Sequence, residues 1–203
     1  AKKYGANIFE NTHVSKILKK DNRVNGVETN QGQIHSEWVI LCGGMWARQL
    51  GMDIGVDIPL YPVEHHYVLS EPIEGISAKL PCTRDPNEMI YLRAEEDGRI
   101  RLGGFQKRSK PWTIDRIPND FSFKLLEEDW DYFKQPLEAG KKRIPQLQKC
   151  KIPEFVNGPE SFTPDNNFIM GVPPNTDGLF VLAGFNSVGI ASAGGAGKYT
   201  AEW

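Results

Sequence analysis

The sequence predicts a mixed α/β fold, in which an α/β part built from both ends of the chain is interrupted by an antiparallel sheet with helix. Two observations predict it. An unbroken apolar strand followed by glycines and a helical pattern occurs twice, at residues 38–41 and 179–183, as in sheets covered on both faces. Between them, residues 53–105 are rich in β-branched and aromatic side chains, which favour antiparallel strands.

The first elements form a small meander before the first apolar strand. Short antiparallel strands joined by polar turns are predicted at residues 14–18, 23–29 and 33–35. The strand at 38–41 is expected to be buried on both faces, and Cys42 to be buried with it. Gly43, Gly44 and a short helix at 45–50 follow, and such a strand–glycine–helix turn can hold an anionic group.

The middle of the chain predicts a sheet followed by a helix. The strands are expected at residues 61–70, 90–93 and 100–105, with Asp97-Gly98 as a hairpin turn. Residues 120–147 are predicted to be helical, because apolar side chains recur on one helical face. These side chains are Leu126, Trp130, Phe133 and Leu137. Pro136 predicts a kink or the start of a second helix.

The second apolar strand, at 179–183, runs into glycine and then into a helix rich in Gly and Ala. Small residues in this position allow close approach of a cofactor ring or, equally, tight packing of helix on sheet. A phosphate-binding loop is rejected, because Ser192 and Tyr199 stand where that motif needs Gly and a hydroxyl-bearing Ser or Thr.

Composition and charge exclude several classes of protein. The chain has 203 residues, 39% hydrophobic and 25% charged, which is globular rather than disordered or coiled-coil composition. A net charge of −2 gives no general attraction for nucleic acid or an anionic membrane. No apolar run has the length of a membrane helix, and no signal peptide is visible. Three scattered cysteines, Cys42, Cys82 and Cys150, predict neither disulfides nor a metal site, and favour a reducing compartment.

Two histidines and a tyrosine in the middle part are candidate catalytic residues. His65 and His66 are neighbours on a predicted strand, so they point to opposite faces and one of them can face a site. An imidazole is suited to moving a proton near neutral pH, although a structural histidine is the commoner case. Tyr91, on another strand of the same sheet, could orient a substrate amine or carboxylate through its hydroxyl.

Five segments, in order along the chain, carry a family resemblance. They are CGGMWARQLG, IPLYPVEHHYVLSEPI, IYLRAEEDGRIRLGGF, NGPESFTPDNNFIMG and AGFNSVGIASAGGAGKYTAEW. Together they resemble the D-amino-acid oxidase type of FAD-dependent oxidoreductases, in the dimethylglycine and sarcosine dehydrogenase branch. The resemblance implies the C-terminal remainder of a Rossmann-like FAD-binding domain, at residues 1–52 and 160–203. A mixed antiparallel-sheet substrate domain, at residues 53–159, would interrupt it.

The resemblance also implies which residues hold FAD. The backbone of Val14 would hold the adenine, and Gly44 and Trp46 would lie in a strand-to-helix turn near the cofactor. One continuous run would line the flavin: Gly184, Phe185, Asn186, Ser187, Val188, Gly189 and Ile190. Backbone N–H groups in this run would stabilise negative charge on reduced flavin.

The implied reaction is oxidation of an N-methylated glycine, dimethylglycine or sarcosine, with hydride transfer from the N-methyl carbon to flavin N5. In this interpretation His65 biases the protonation of the substrate amine and Tyr91 orients the amine or carboxylate. Oxygen or an electron-transfer flavoprotein would accept the electrons, and a folate domain would belong to a full-length parent. The bacterial cytoplasm and the mitochondrial matrix are the expected compartments.

The chain departs from the family pattern at its N-terminus. Gly5, Gly26 and Gly32 do not form the GxGxxG fingerprint that the family carries there, and the chain starts with Ala1 rather than Met. We therefore expect a fragment of a longer protein. We also expect these 203 residues by themselves to bind FAD weakly or not at all.

Three alternatives stay open at this point. The protein can be another amine or amino-acid oxidase of the same fold, with a different substrate. It can be a non-catalytic regulatory relative of the dimethylglycine dehydrogenase family. It can also be a truncated product that does not fold stably. The flavin content of the complete gene product distinguishes an oxidase from a regulatory protein.

Overall fold

The computed structural model describes residues 1–113 and 115–203, and the chain divides into two compact units. Unit 1 consists of residues 1–61 and 161–203, and unit 2 of residues 62–160. The sequence placed the first boundary between residues 52 and 53. In the structure, Val56, Ile58 and Leu60 contribute their side chains to the core of unit 1.

Unit 1 begins with an antiparallel meander. Its strands are β1 (Val14–Lys20), β2 (Arg23–Thr29) and β3 (Gly32–His35), paired in that order. Ile17 and Val24 are buried in it. Gly26 has a φ of +149°, and the carbonyl oxygen of Ile34 occupies the space that a Cβ atom at residue 26 would need. The predicted meander is confirmed, and only glycine fits its β2–β3 contact.

The second sheet of unit 1 contains the two apolar strands. Its strands are β4 (Val39–Leu41), β11 (Ile169–Gly171) and β12 (Leu179–Ala183), in the order β11-β12-β4. β12 pairs with β4 in parallel, with Val181 opposite Leu41, as continuous apolar runs predict. Helix α1 (Ala47–Met52) follows β4, and helix α3 (Gly189–Glu202) follows β12.

The expected burial of residues 38–41 on both faces is wrong. Ile40 is 44% exposed, and Cys42 is exposed as well. β4 is the edge strand of its sheet, whereas β12 is central and buried along almost its whole length. Leu41 is buried, and Cys42, which follows it, is on the exposed side with Ile40, as alternation along a strand requires.

Unit 2 is built on a six-stranded sheet. Its strands are β5 (Tyr61–Leu69), β6 (Thr83–Asp85), β7 (Ile90–Ala94), β8 (Ile100–Gly104), β9 (Lys110–Pro111) and β10 (Glu154–Phe162). The order is β10-β5-β8-β7-β6, with β9 beside β5. β7 and β8 form the predicted hairpin, and Gly98 takes a φ of +81° in its turn, a conformation that Asp-Gly turns favour.

One helix, α2 (Trp130–Arg143), packs on one face of this sheet. It starts later than the sequence predicts because Asp129 caps it, accepting a hydrogen bond from the backbone N–H of Tyr132 at 2.9 Å. The expected second helix at Pro136 is wrong, since α2 continues through that residue. Proline leaves the carbonyl of Tyr132 without its helical donor. The side-chain amide of Gln106 donates to that carbonyl instead, at 3.4 Å.

The β8 strand accommodates α2 closely. A Cβ atom at Gly104 would lie 2.8 Å from the ring of Pro136. A Cβ atom at Gly140 would overlap the side chain of Leu102. Because side chains alternate along a strand, Gly103 and its neighbours across the sheet face away from α2. One face of the sheet therefore packs on α2, and the opposite face, which includes Gly103, is not covered by that helix.

Candidate active site

The face of the unit 2 sheet opposite α2 carries a cluster of aromatic and charged side chains, which we name the His65 face. Its members come from four strands or their ends: His65, Tyr67, Tyr91, Arg101, Phe105 and Glu160. Tyr67 lies opposite Gly103, and Gly103 lies opposite Tyr91, so these three residues form one row across β5, β8 and β7. His65 is two residues before Tyr67 on β5 and therefore shares its face.

Tyr91 and His65 lie side by side on this face. Their ring centroids are 6.2 Å apart, with the rings at 82° to each other. Phe105 packs against both, at 4.6 Å from the ring of His65 and 5.6 Å from that of Tyr91. The two catalytic candidates from the sequence are thus brought together by pairing between distant strands.

Tyr91 is held as a neutral phenol. Burial raises its pKa to about 12, an effect that the positive charge of Arg101 opposes. A phenol that stays protonated through the physiological range is a permanent hydrogen-bond donor. It can therefore orient a carboxylate or an amine nitrogen without carrying charge itself.

His65 is bonded to a carboxylate that the sequence reasoning missed. Its Nδ1 atom lies 2.5 Å from Oε2 of Glu160, on β10. Both side chains are largely covered, with 17% of His65 and 28% of Glu160 exposed. A carboxylate accepts hydrogen bonds and does not donate them, so Nδ1 carries the proton in this pair.

Two arginines border the His65 face. The guanidinium of Arg101 lies over the ring of Tyr67, 4.6 Å from its centroid, and forms an ion pair with Glu95, with 2.8 Å between Nε and Oε1. The guanidinium of Arg84 lies 5.2 Å from the centroid of Phe105. These stacked positions place two guanidinium groups beside the aromatic cluster, and Glu95 balances the charge of Arg101.

His66 belongs to the other face and has a structural environment. It is fully buried between Tyr132 and Phe155, with its Nε2 atom 3.3 Å from Glu64. Burial lowers its pKa, which the bond to Glu64 opposes. Lys110, whose side chain is 41% exposed, forms an ion pair with Glu64 at 3.1 Å at the edge of this network. Strand alternation separates the two histidines as the sequence predicts.

In unit 1, the turn between β12 and α3 has an unusual backbone. Gly184, Asn186 and Ser187 all take positive φ values. The side chain of Asn186 stabilises this path, because its Oδ1 accepts from the backbone N–H of Thr163 at 3.0 Å and its Nδ2 donates to the hydroxyl of Thr163 at 3.1 Å. Phe185 stacks on Phe168, with ring centroids 5.3 Å apart. Non-glycine residues with positive φ cluster at functional sites.

The other cofactor candidates occupy two places in unit 1. Gly44 and Trp46 lie in a 3₁₀ turn between β4 and α1. Because β4 and β12 are parallel neighbours, this turn and the turn from Gly184 to Ile190 lie at the same edge of the sheet. Ligands of α/β sheets bind at such carboxyl edges. Val14 is separate from them, as the first residue of β1 in the meander.

The described residues contain neither a cluster of metal-binding side chains nor a helix that could span a membrane. Within residues 1–113 and 115–203, no three His, Cys, Asp or Glu side chains gather closely enough to hold a metal ion. Among the same residues, the helices are too short or too polar to cross a membrane.

The family profile of FAD-dependent oxidoreductases known as DAO matches residues 1–203. The chain belongs to the DAO family. Several relatives are similar along nearly all of it. It is 40% identical over 206 residues to the pyruvate dehydrogenase phosphatase regulatory subunit, mitochondrial, of Mus musculus, covering 100% of this chain and 23% of the relative.

Two further DAO relatives are enzymes by name. Identity is 40% over 199 residues to 4-methylaminobutanoate oxidase (formaldehyde-forming) of Paenarthrobacter nicotinovorans, covering 98% of this chain and 24% of the relative. The chain is also 39% identical over 204 residues to sarcosine dehydrogenase, mitochondrial, of Mus musculus, and the match covers 98% of this chain and 22% of the relative. The chain therefore spans about a quarter of the length of these relatives.

A solved structure has the same DAO fold. L-proline dehydrogenase from P. horikoshii superimposes with a TM-score of 0.77 at 25% identity, covering 95% of this chain and 49% of that one. The predicted fold class, an FAD-binding α/β architecture interrupted by a sheet domain, is confirmed by this neighbour and by the family match.

The turn between β12 and α3 fits an FAD group chemically. The first N–H groups of a helix lack partners within the helix and can donate to an anionic or carbonyl oxygen. Ile190 is 98% exposed in this first turn, and the Gly and Ala residues that follow leave the backbone open to a flat ring. These donors and small side chains suit the pyrimidine end of a flavin.

Proposed function

We propose that the protein is an FAD-dependent amine oxidoreductase that oxidises an N-methylated glycine, dimethylglycine or sarcosine. Unit 1 would bind FAD, and unit 2 would bind the amine on the His65 face. The observation that carries this proposal is the adjacency of His65 and Tyr91, an imidazole and a neutral phenol whose rings lie 6.2 Å apart.

The His65 face suits the proton chemistry of amine oxidation. An ammonium nitrogen has no lone pair to assist departure of a hydride, so the amine must first lose its proton. With the Nδ1 proton of His65 directed at Glu160, the lone pair of the imidazole lies on Nε2, which would be the atom that accepts the ammonium proton. Tyr91 would donate its hydroxyl proton in a hydrogen bond to the substrate and so fix its orientation.

When bound, FAD supplies the acceptor for the two electrons that leave the N-methyl carbon as a hydride. The substrate becomes an iminium ion, and water adding to it yields formaldehyde and the demethylated amine. In unit 1, the backbone from Gly184 to Ile190, with Gly44 and Trp46 at the same sheet edge, would hold the cofactor. Val14 would contribute a backbone contact from the start of β1.

The substrate class rests on a feature shared by two relatives. Sarcosine and 4-methylaminobutanoate, in the names of two relatives, are both N-methyl amines that carry a carboxylate. They differ in the length of chain between nitrogen and carboxylate. The N-methyl amine is the common element, and a basic residue with an orienting donor, as at His65 and Tyr91, is suited to it.

Flavin reduction in the full-length protein tests the proposal. The purified protein is expected to show a flavin absorbance spectrum that bleaches on anaerobic addition of dimethylglycine or sarcosine, with formaldehyde as product. Glycine is the matched control, because it lacks the methyl group. Adding 4-methylaminobutanoate measures how the length of the substrate affects the rate. A stoichiometric flavin that none of these N-methyl amines reduces would contradict the proposed activity.

Two substitutions then assign the roles. His65→Ala is expected to slow flavin reduction by about 10²–10⁴-fold, the usual contribution of a general base. Tyr91→Phe removes only the hydroxyl, so we expect a smaller loss that includes weaker substrate binding. Unchanged single-turnover reduction in both variants would remove these residues from the mechanism.

A second candidate is a regulatory protein without turnover. It is favoured by the 40% identity, over 206 residues, to a relative whose name is that of a phosphatase regulatory subunit. In that case the protein would lack a flavin that any amine can reduce. The bleaching experiment therefore separates the two candidates, while comparison of reoxidation by oxygen and by an electron-transfer flavoprotein identifies the electron acceptor.

A further inference from the structure

We infer that Glu160 is a positioning residue for His65, fixing the tautomer and the ring orientation in which His65 can accept the proton of an amine substrate. This inference rests on the proposed function. It concerns a residue on β10, far in sequence from the two catalytic candidates and not singled out by any local pattern.

The geometry of the pair is the first support. Nδ1 of His65 lies 2.5 Å from Oε2 of Glu160, in direct hydrogen-bond contact, and a hydrogen bond to an ionised carboxylate is stronger than one between neutral groups. A neutral imidazole carries one proton, on either nitrogen. Because the carboxylate accepts from Nδ1, the proton is directed there and the lone pair is left on Nε2.

The surroundings of the ring are the second support. Phe105 lies against the imidazole at 4.6 Å, and Tyr91 meets it nearly edge-on at 6.2 Å. These contacts limit how far the ring can tilt, while Glu160 limits its rotation about the Cβ–Cγ bond. Carboxylates that orient a histidine in this way keep the catalytic nitrogen directed at its target.

The location of Glu160 is the third support. With 28% of its side chain exposed, it is partly screened from water, so its hydrogen bond competes with fewer solvent molecules than one at the surface does. Glu154 on the same strand provides a contrast, because it is 46% exposed and pairs with Arg99 at 2.9 Å. On β10, the carboxylate of Glu160 therefore contacts the His65 face, and the carboxylate of Glu154 forms an ion pair at the surface.

The test compares three variants of the full-length, flavin-loaded protein. Glu160→Leu removes the acceptor and is expected to slow anaerobic flavin reduction by sarcosine or dimethylglycine by about 10–100-fold, with substrate binding less affected. Glu160→Gln keeps a neutral acceptor of the same shape and is expected to recover part of that loss. Glu154→Gln is the matched control and should reduce at the wild-type rate.

A second readout does not depend on turnover. In protein labelled with ¹⁵N-histidine, the resonances lost in His65→Gln identify His65, and their shifts report which ring nitrogen carries the proton. We expect the Nδ1–H tautomer in the wild type and a mixture or the Nε2–H tautomer in Glu160→Leu. A wild type with the proton on Nε2, or a Glu160→Leu variant with unchanged tautomer and unchanged reduction rate, would overturn the inference.

The outcomes separate this inference from the proposed function. If no N-methyl amine reduces the wild-type flavin, the proposed activity fails while the tautomer measurement still decides the role of Glu160. If the wild type is reduced and Glu160→Leu behaves like it, the activity stands and the positioning role fails. A loss of melting temperature and flavin content in Glu160→Leu without a change of tautomer would assign Glu160 to the fold alone.

Discussion

The ring of Tyr91 lies over Gly103, in the space that a Cβ atom at residue 103 would occupy. The two residues are opposite each other on β7 and β8. An aromatic side chain commonly covers a glycine in the neighbouring strand, where the missing side chain leaves room for it. Gly103 therefore sets the direction of the Tyr91 hydroxyl toward β5, the strand that carries His65.

Gly103→Ala is expected to impair the site without removing any catalytic group. The added methyl would overlap the phenol ring, so Tyr91 must rotate away from His65 or the strands must separate. We expect slower flavin reduction, comparable to that of Tyr91→Phe, and a loss of stability of about 1–3 kcal/mol from overpacking. Anaerobic stopped-flow and thermal unfolding of the full-length protein measure the two effects.

Gly158→Ala is the matched control for this experiment. Gly158 is also a strand glycine of unit 2, and a Cβ atom there would meet only ordinary contacts, the nearest at 3.9 Å. We expect Gly158→Ala to leave the rate of flavin reduction unchanged. Wild-type kinetics in Gly103→Ala would show that the position of the Tyr91 ring does not matter to the reaction.

The raised pKa of Tyr91 predicts that the folded protein loses stability at alkaline pH. Its pKa is raised to about 12 in the folded protein, above the value near 10 of an unfolded chain. The unfolded state therefore releases its proton first as pH rises, so the folded state loses stability between about pH 10 and 12 and is unaffected below that window. Two pKa units correspond to an upper limit of about 3 kcal/mol.

Melting temperature as a function of pH measures this effect. Wild type and Tyr91→Phe share all other titrating groups, so the difference between their curves isolates Tyr91. We expect the wild type to lose more stability than Tyr91→Phe above about pH 10. Parallel curves through that range would mean that the phenol is not held in its neutral form by the fold.

Local patterns predicted the elements and the separation of the two histidines. Alternation along a strand is enough to put His65 and His66 on opposite faces, because it depends on backbone geometry alone. The Asp97-Gly98 turn and the parallel pairing of β12 with β4 follow from equally local signals. These features need no knowledge of which distant segments meet.

The partner of His65 could not be predicted in this way. Glu160 lies 95 residues further along the chain, and strand register decides whether it meets His65. The pair Gly103-Gly104 in a strand was a usable signal of close approach on both faces, although it does not say which side chains approach. Burial of β4 was mispredicted for a related reason, because position in the sheet decides it.

Pro136 and Gln106 illustrate compensation across elements and allow a stability prediction. Proline removes the donor for the carbonyl of Tyr132, and Gln106 supplies one at 3.4 Å. Gln106→Ala is expected to destabilise the protein by about 0.5–1.5 kcal/mol, the net value of one hydrogen bond. In the background of Pro136→Ala, the backbone N–H of residue 136 restores the helical bond, so the same substitution should cost less.

A double-mutant cycle in thermal or urea unfolding measures this coupling. Gln148→Ala is a suitable control, because that glutamine donates to the carbonyl of Lys141 at 3.3 Å, away from Pro136. Its effect should be the same with and without Pro136→Ala. Strict additivity of Gln106→Ala and Pro136→Ala would contradict the compensation.

Asn186 links backbone strain in unit 1 to the proposed FAD site. It has a φ of +47°, and its side chain makes hydrogen bonds with both the N–H and the hydroxyl of Thr163. Asn186→Ala removes these bonds and places a less tolerant residue in the left-handed region, at a cost of about 1–2 kcal/mol. If the turn from Gly184 to Ile190 holds the cofactor, FAD affinity should fall by about five- to thirtyfold.

Two further variants make this measurement specific. Asn186→Gly keeps the backbone conformation and removes only the side-chain bonds, so its FAD dissociation constant should lie between those of wild type and Asn186→Ala. Asn175→Gly changes another left-handed asparagine of unit 1, with a φ of +56°, in the loop before β12, and should bind FAD normally. Flavin fluorescence titration of the deflavinated full-length protein gives all four constants. Equal affinity in wild type and Asn186→Ala would place the cofactor away from this turn. A ligand that is held by the backbone N–H groups of the turn must bind more weakly when the turn loses the bonds that fix its conformation.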